Sequence, residues 1–207
     1  EANRNLFKFF NKVPSKVKKV YNGIDLDEFN KNKIEASKNF IDIKKFNLVV
    51  GIVGVFDELK GHIYLFNAIK KMTKNKIACL VVGDGREKKK LLDYVNKNNL
   101  NEFIFFTGYV ENVQKYLKLM DVLALPSTQE SFPRVMIEAM AMGVPVIGSN
   151  VGGIPEAVIN DKTGIIIPPR NSIAIIEAIM RFISEPGLAE KMGVYCEKYC
   201  EKNFDIK

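Results

Sequence analysis

One histidine, His62, and three cysteines in 207 residues leave little room for metal or redox chemistry. Structural zinc takes four ligands, mostly Cys and His at short spacings, and no such set is present. A nucleophile relay built on histidine would rest on His62 alone. Cys79 lies in an apolar run, while Cys196 and Cys200 stand four apart in a terminal helical pattern, so the thiols make no disulfide framework. No metal site is expected. The longest nearly apolar run, Phe46 to Phe56, is about half of the ~20 residues that a helix needs to cross a bilayer. No secretory signal is visible, and a cytoplasmic protein is expected. Zinc-finger spacing and an aromatic-interleaved basic stripe are missing, which argues against nucleic acid as a partner. Neither a solenoid period nor a low-complexity segment beyond lysine-rich patches appears.

What is present describes one ordinary globular domain, 47% hydrophobic and 27% charged. The net charge of +7 gathers in the first third and around Arg86 to Lys90. That balance permits an anionic partner such as a nucleotide or lipid headgroups, although most such lysines form a solvated face. The chain begins at Glu1 rather than Met and is read as a segment of a longer protein.

Apolar runs predict strands at Leu48 to Val53, Ile77 to Val82, Phe103 to Phe106, Val122 to Pro126, Pro145 to Ser149 and Gly164 to Pro169. Lys16 to Tyr21 also has strand character and runs into an Asn22-Gly23 turn, and Asn30 to Lys45 reads as a polar loop with a short helix. Between the strands lie a helix with Leu65, Ile69 and Met72 on one face, helices at Lys88 to Asn98 and Val113 to Met120, and a short one at Pro155 to Ala157. Two more, Ser172 to Ser184 and Leu188 to Lys202, end the chain. Roughly six βα repeats predict an α/β fold, a doubly wound, mainly parallel six-stranded Rossmann-like sheet.

The stretch from Val122 to Ile147 organises the rest: a buried strand, a loop, a helix and a second strand. Pro133 suits a first helical position, and Gly143-Val144-Pro145 ends the run, so the helix is expected from about Phe132. Glu130 then sits just outside the helix, and Glu138 about 7.5 Å along its axis. In open α/β sheets, ligands bind in the crevice at the carboxyl ends of the strands. The helix start favours a phosphate, and carboxylates accept hydrogen bonds from sugar hydroxyls. Taken singly, Glu130 reads equally as a solvated loop acid and Glu138 as a structural one. Gly83-Asp84-Gly85 after the second strand allows close backbone approach to a nucleotide, but without the full dinucleotide-binding spacing.

As a combined pattern, Glu130, seven residues, Glu138, with Ser131-Phe132 after the first and Ala139-Met140-Ala141 after the second, resembles the retaining GT-B glycosyltransferases of family 4. Leu125-Pro126-Ser127, Gly152-Gly153-Ile154-Pro155-Glu156, Gly83-Asp84-Gly85 and Asn22-Gly23-Ile24-Asp25 stand where that family has similar segments. The resemblance implies that residues 16–207 are one half of a GT-B fold, the donor domain, with residues 1–15 the tail of an interdomain connection and the amino-terminal acceptor domain absent. It implies that Glu138 binds ribose, Glu130 the transferred sugar, main chain around Ser131, Phe132 and Pro133 the sugar and phosphate, and Lys60 the diphosphate. Gly83 would lie near the nucleoside and main chain at Val110 near the base. Val55 departs from the pattern, standing where the family usually has Arg.

The implied donor is a nucleotide-diphosphate sugar, with no cofactor and no metal. The implied acceptor is a glycan or a lipid-linked molecule, and the basic surface is compatible with peripheral association at the inner face of a membrane. The chain alone is expected to turn over little or nothing. A non-catalytic nucleotide-sugar-binding module and a GT-B-like epimerase remain as alternatives.

Overall fold

The computed structural model describes residues 20–37 and 41–207. Strands β1 (Leu48–Val53), β2 (Ile77–Val82), β3 (Ile104–Gly108), β4 (Val122–Leu125), β5 (Val146–Ser149) and β6 (Gly164–Ile167) form one sheet in the order β3-β2-β1-β4-β5-β6. Every pairing is parallel, so the expected doubly wound sheet is present. The order reverses between β1 and β4, the neighbours at the topological switch point.

The strands are apolar throughout because both faces are covered. Successive side chains of β1 point to opposite sides, Val50 and Ile52 into one core and Val49 into the other. The first core is closed by α1 (His62–Lys71), α2 (Lys88–Lys97) and α6 (Ser172–Ser184), through residues such as Leu65, Ile69, Leu91, Ile175 and Ile179. The second is closed by α3 (Gln114–Leu117), α4 (Arg134–Ala141), α5 (Ile154–Ala157) and α7 (Leu188–Asn203), through Leu117, Met136, Met140, Ile154, Cys196 and Cys200. Burying each large apolar side chain contributes about 1.5–3 kcal/mol. Asn171 starts α6, its Oδ1 accepting from the N–H groups of Ile173 and Ala174 at 3.0 Å each, a cap worth about 1 kcal/mol.

Some elements differ from the sequence-based expectation. The helix expected over Val113 to Met120 is only one turn long, because the N–H groups of Leu119 and Met120 close back on Tyr116 and Leu117 in tighter turns. The strand expected at Lys16 to Tyr21 lies outside the described residues up to Lys19. Val20 is exposed and Tyr21 forms no strand; Ile24 makes an isolated bridge to Asp205. Among its described residues, the polar stretch before β1 holds one 3-10 turn, Ile43–Lys45. Cys196 and Cys200 are packing residues whose thiols donate to the carbonyls of Thr163 at 3.3 Å and Ile137 at 3.7 Å. Burial pushes the Cys200 thiol up to about 12.

Candidate functional site

The loop after β1 is fixed before any ligand is considered. Gly54 and Phe56 donate to the carbonyls of Val82 and Asp84, and Glu87 donates back to Phe56. Asp57 caps a 3-10 turn at Glu58–Lys60, its Oδ1 accepting from the Lys60 N–H at 3.1 Å. The loop after β4 is tied to this turn by the Thr128 N–H, which donates to the Leu59 carbonyl at 2.8 Å. The consequence is a close ion pair: Lys60 Nζ lies 2.6 Å and 2.8 Å from the two carboxylate oxygens of Glu130. Because Lys60 follows β1 and Glu130 follows β4, the pair spans the switch point. The Glu130 side chain is only 7% exposed and that of Lys60 29%, so loss of either partner strands a partly desolvated charge.

The Glu130 loop is also held from the next turn. Gly152 has φ +54, and a Cβ there would lie 1.8 Å from the Glu130 carbonyl oxygen. The N–H of Gly153 donates to the Ser131 carbonyl at 2.5 Å. Phe132 is packed by the rings of Tyr21 and Phe204 at centroid distances of 5.1 Å and 5.9 Å, and its carbonyl accepts from Asn22 Nδ2 at 3.4 Å. Sequence reasoning missed Tyr21 and Phe204; the Asn22-Gly23 turn was the available signal, and it did not say what the turn would touch.

The helix begins later than expected. Pro133 is the N-cap, extended at φ −70 and ψ 121, and α4 starts at Arg134. A residue preceding proline is disfavoured in helical conformation, which keeps Phe132 out of the helix. Pro133 has no N–H to offer a ligand, so donors at this helix start belong to Arg134 and Val135, which have no intrahelical acceptor. No side chain caps this end. Glu138 lies one turn in, 12% exposed, with Arg134 Nη2 at 3.5 Å from Oε1. Burial raises its carboxyl pKa; the Arg134 charge opposes the shift, and Glu28 adds to it.

Gly83 and Val110 follow β2 and β3 at the same edge of the sheet, and the Gly83 N–H donates to the Gly108 carbonyl. The close approach that Gly83 and Gly85 permit is taken by the chain itself: Cβ atoms there would lie 2.0 Å from the Gly54 carbonyl oxygen and 2.6 Å from Phe56 backbone. Val55 is exposed on the Lys60 loop. His62 lies beside this loop but is buried, 2% exposed, edge-on to Phe56, with no hydrogen-bond partner for either ring nitrogen among the described residues. Burial depresses its pKa to about 4, against the raising effect of Asp57. Among the described residues no group of three or more His, Cys, Asp or Glu could hold a metal ion, and no helix is long and apolar enough to cross a membrane.

A doubly wound parallel sheet with a lysine and two carboxylates at its carboxyl edge defines an α/β domain whose polar site lies at the switch point. The family model for glycosyl transferases group 1 matches residues 33–199, and the chain belongs to that family. An uncharacterized glycosyltransferase of Methanocaldococcus jannaschii is 34% identical over 207 aligned residues, 94% of this chain and 53% of the relative. HepE from Anabaena, solved with UDP and glucose, superposes with a TM-score of 0.85 at 22% identity, over 99% of this chain and 57% of its own. The carboxyl-terminal domain of a group 1 glycosyl transferase (LpcC) from Francisella tularensis gives a TM-score of 0.76 at 23% identity. That match covers 89% of this chain and all of the other. The GT-B-type fold is shared, and the chain spans about half the length of the curated relatives it matches.

Proposed function

We propose that this chain is the donor-binding domain of a retaining glycosyltransferase of the family 4 type, spanning residues 16–207, with residues 1–15 the end of a connection from an acceptor domain. The observation that carries this reading is the convergence of Lys60, Glu130 and the start of α4 at the switch point, with Glu138 one turn behind. In this reading Glu138 accepts hydrogen bonds from the ribose hydroxyls and Glu130 from those of the transferred sugar. Lys60 holds the diphosphate. N–H groups at Ser131, Phe132 and Arg134 face the sugar and phosphate, Pro133 orients them, Gly83 borders the nucleoside and main chain at Val110 meets the base. UDP in the HepE structure supports a nucleotide-diphosphate sugar as the donor.

When the bond from the anomeric carbon to the diphosphate oxygen breaks, negative charge grows on the leaving group. Lys60 and the helix start stabilise that charge, as preorganised donors do for developing anions. No metal ion or cofactor is assigned a part. The acceptor, a glycan or lipid-linked molecule, binds mainly to an acceptor domain, and the basic surface suits a site of action at the cytoplasmic face of a membrane. A non-catalytic binding module is the second reading, favoured by exposed Val55, which adds no charge to the Lys60 loop.

Saturation-transfer NMR with UDP-glucose, UDP-N-acetylglucosamine and GDP-mannose tests the assignment. Transfer to both ribose and sugar protons from one donor is expected. Its absence for all three donors with a folded sample would count against a donor site.

A further inference from the structure

We propose that Arg134 is a diphosphate-binding residue of this site; the inference rests on the donor-site reading above. The first argument is charge. Lys60 is shared with both carboxylate oxygens of Glu130, so it meets a diphosphate with its charge already partly compensated. In the basic run after β2, two of the cations are engaged in the same way: Lys88 pairs with Asp84 at 2.6 Å, and Lys90 with Glu87 and Glu58 at 2.7 Å and 2.9 Å. Val55, exposed beside Lys60, supplies none. A nucleoside diphosphate brings two or more negative charges to this edge, and an uncompensated anion would bind poorly.

The second argument is position. Arg134 and Glu138 occupy the same face of α4, shown by their i,i+4 contact at 3.5 Å. Arg134 is therefore about 6 Å nearer the helix start along the axis. A nucleotide whose ribose is read by Glu138 carries its phosphates past the sugar on the side of Lys60 and Glu130, the side of the helix start. The Arg134 side chain is 65% exposed, so its guanidinium is free to turn from Glu138 to a phosphate. Its planar fork can bind two phosphate oxygens at once. Glu138, released from that contact, then serves the ribose alone.

The test compares the affinities of the 207-residue chain for UMP and UDP, with the GMP/GDP and AMP/ADP pairs in parallel, in parent, Arg134→Gln, Arg134→Lys and Glu138→Ala. Arg134→Gln is expected to reduce UDP affinity about tenfold, the worth of a charge-assisted hydrogen bond, with the affinity for UMP changed much less. Arg134→Lys should recover part of the loss. An unchanged UDP/UMP ratio in Arg134→Gln, with Glu138→Ala weakening both nucleotides, overturns the Arg134 assignment and leaves the donor site standing. Equal weakening of UMP and UDP in Arg134→Gln assigns the residue to Glu138 alignment and also overturns it. If the folded parent binds none of these nucleotides, the donor-site reading falls and this inference with it.

Discussion

At the residue scale, Glu138 and His62 are buried ionisable groups whose burial makes stability depend on pH with opposite signs. Burial raises the Glu138 carboxyl pKa, so ionising it opposes folding. Stability from this group is fully present below the unfolded pKa and is lost as pH rises through the higher folded value. Glu138→Gln is therefore expected to raise the urea midpoint at pH 7 while weakening nucleotide binding; a loss of both would make the residue structural. His62 has the reverse sign. Its folded pKa of about 4 lies below the ordinary value of 6.5, so the unfolded chain binds its proton first and stability falls from about pH 6.5 to pH 4. At 1.36 kcal/mol per unit the loss approaches about 3 kcal/mol. His62→Leu should flatten that part of the pH profile in urea unfolding, and an unchanged acid limb would contradict the assignment.

At the element scale, the site is a set of loops held by other loops. Gly152 abuts the Glu130 carbonyl, so Gly152→Ala forces a Cβ into backbone and strains a positive φ, costing about 1–3 kcal/mol. It is expected to lower the thermal midpoint and to weaken sugar-nucleotide binding more than binding of the bare nucleotide; equal affinities would show that the turn does not position Glu130. Strands were legible because Leu48 to Val53 and Ile77 to Val82 are short, continuous apolar runs rich in β-branched residues, as in a sheet covered on both faces. Glu130, Glu138 and Lys60 stand out in the sequence through their spacing and the family resemblance, and the fold places Glu130 and Lys60 on loops and Glu138 within α4. The preference for Pro at N1 points to an earlier helix start than the one observed, because the constraint that Pro133 imposes on Phe132 keeps that residue out of the helix. The Lys60 to Glu130 pair was not legible: two residues 70 positions apart meet only because β1 and β4 are neighbours. Nor was the contact of Tyr21 and Phe204 with Phe132, since aromatic residues far apart in sequence carry no mark of their partner.

At the scale of the whole molecule, the chain spans about half of the curated relatives it matches. The donor-domain reading therefore separates binding from turnover: the chain alone should bind a nucleotide and transfer no sugar to glycan or lipid-linked acceptors in a radiolabel assay. Efficient transfer by the isolated chain would show that an acceptor site lies within it. The central claim is that Glu138 reads the ribose of a bound donor, and calorimetric titration of parent and Glu138→Ala with UDP, GDP and ADP, without added metal, tests it most directly. The account predicts that the parent binds one base class and that Glu138→Ala, still folded, binds it about 1.5–3 kcal/mol more weakly. Equal affinity in the two proteins would contradict it.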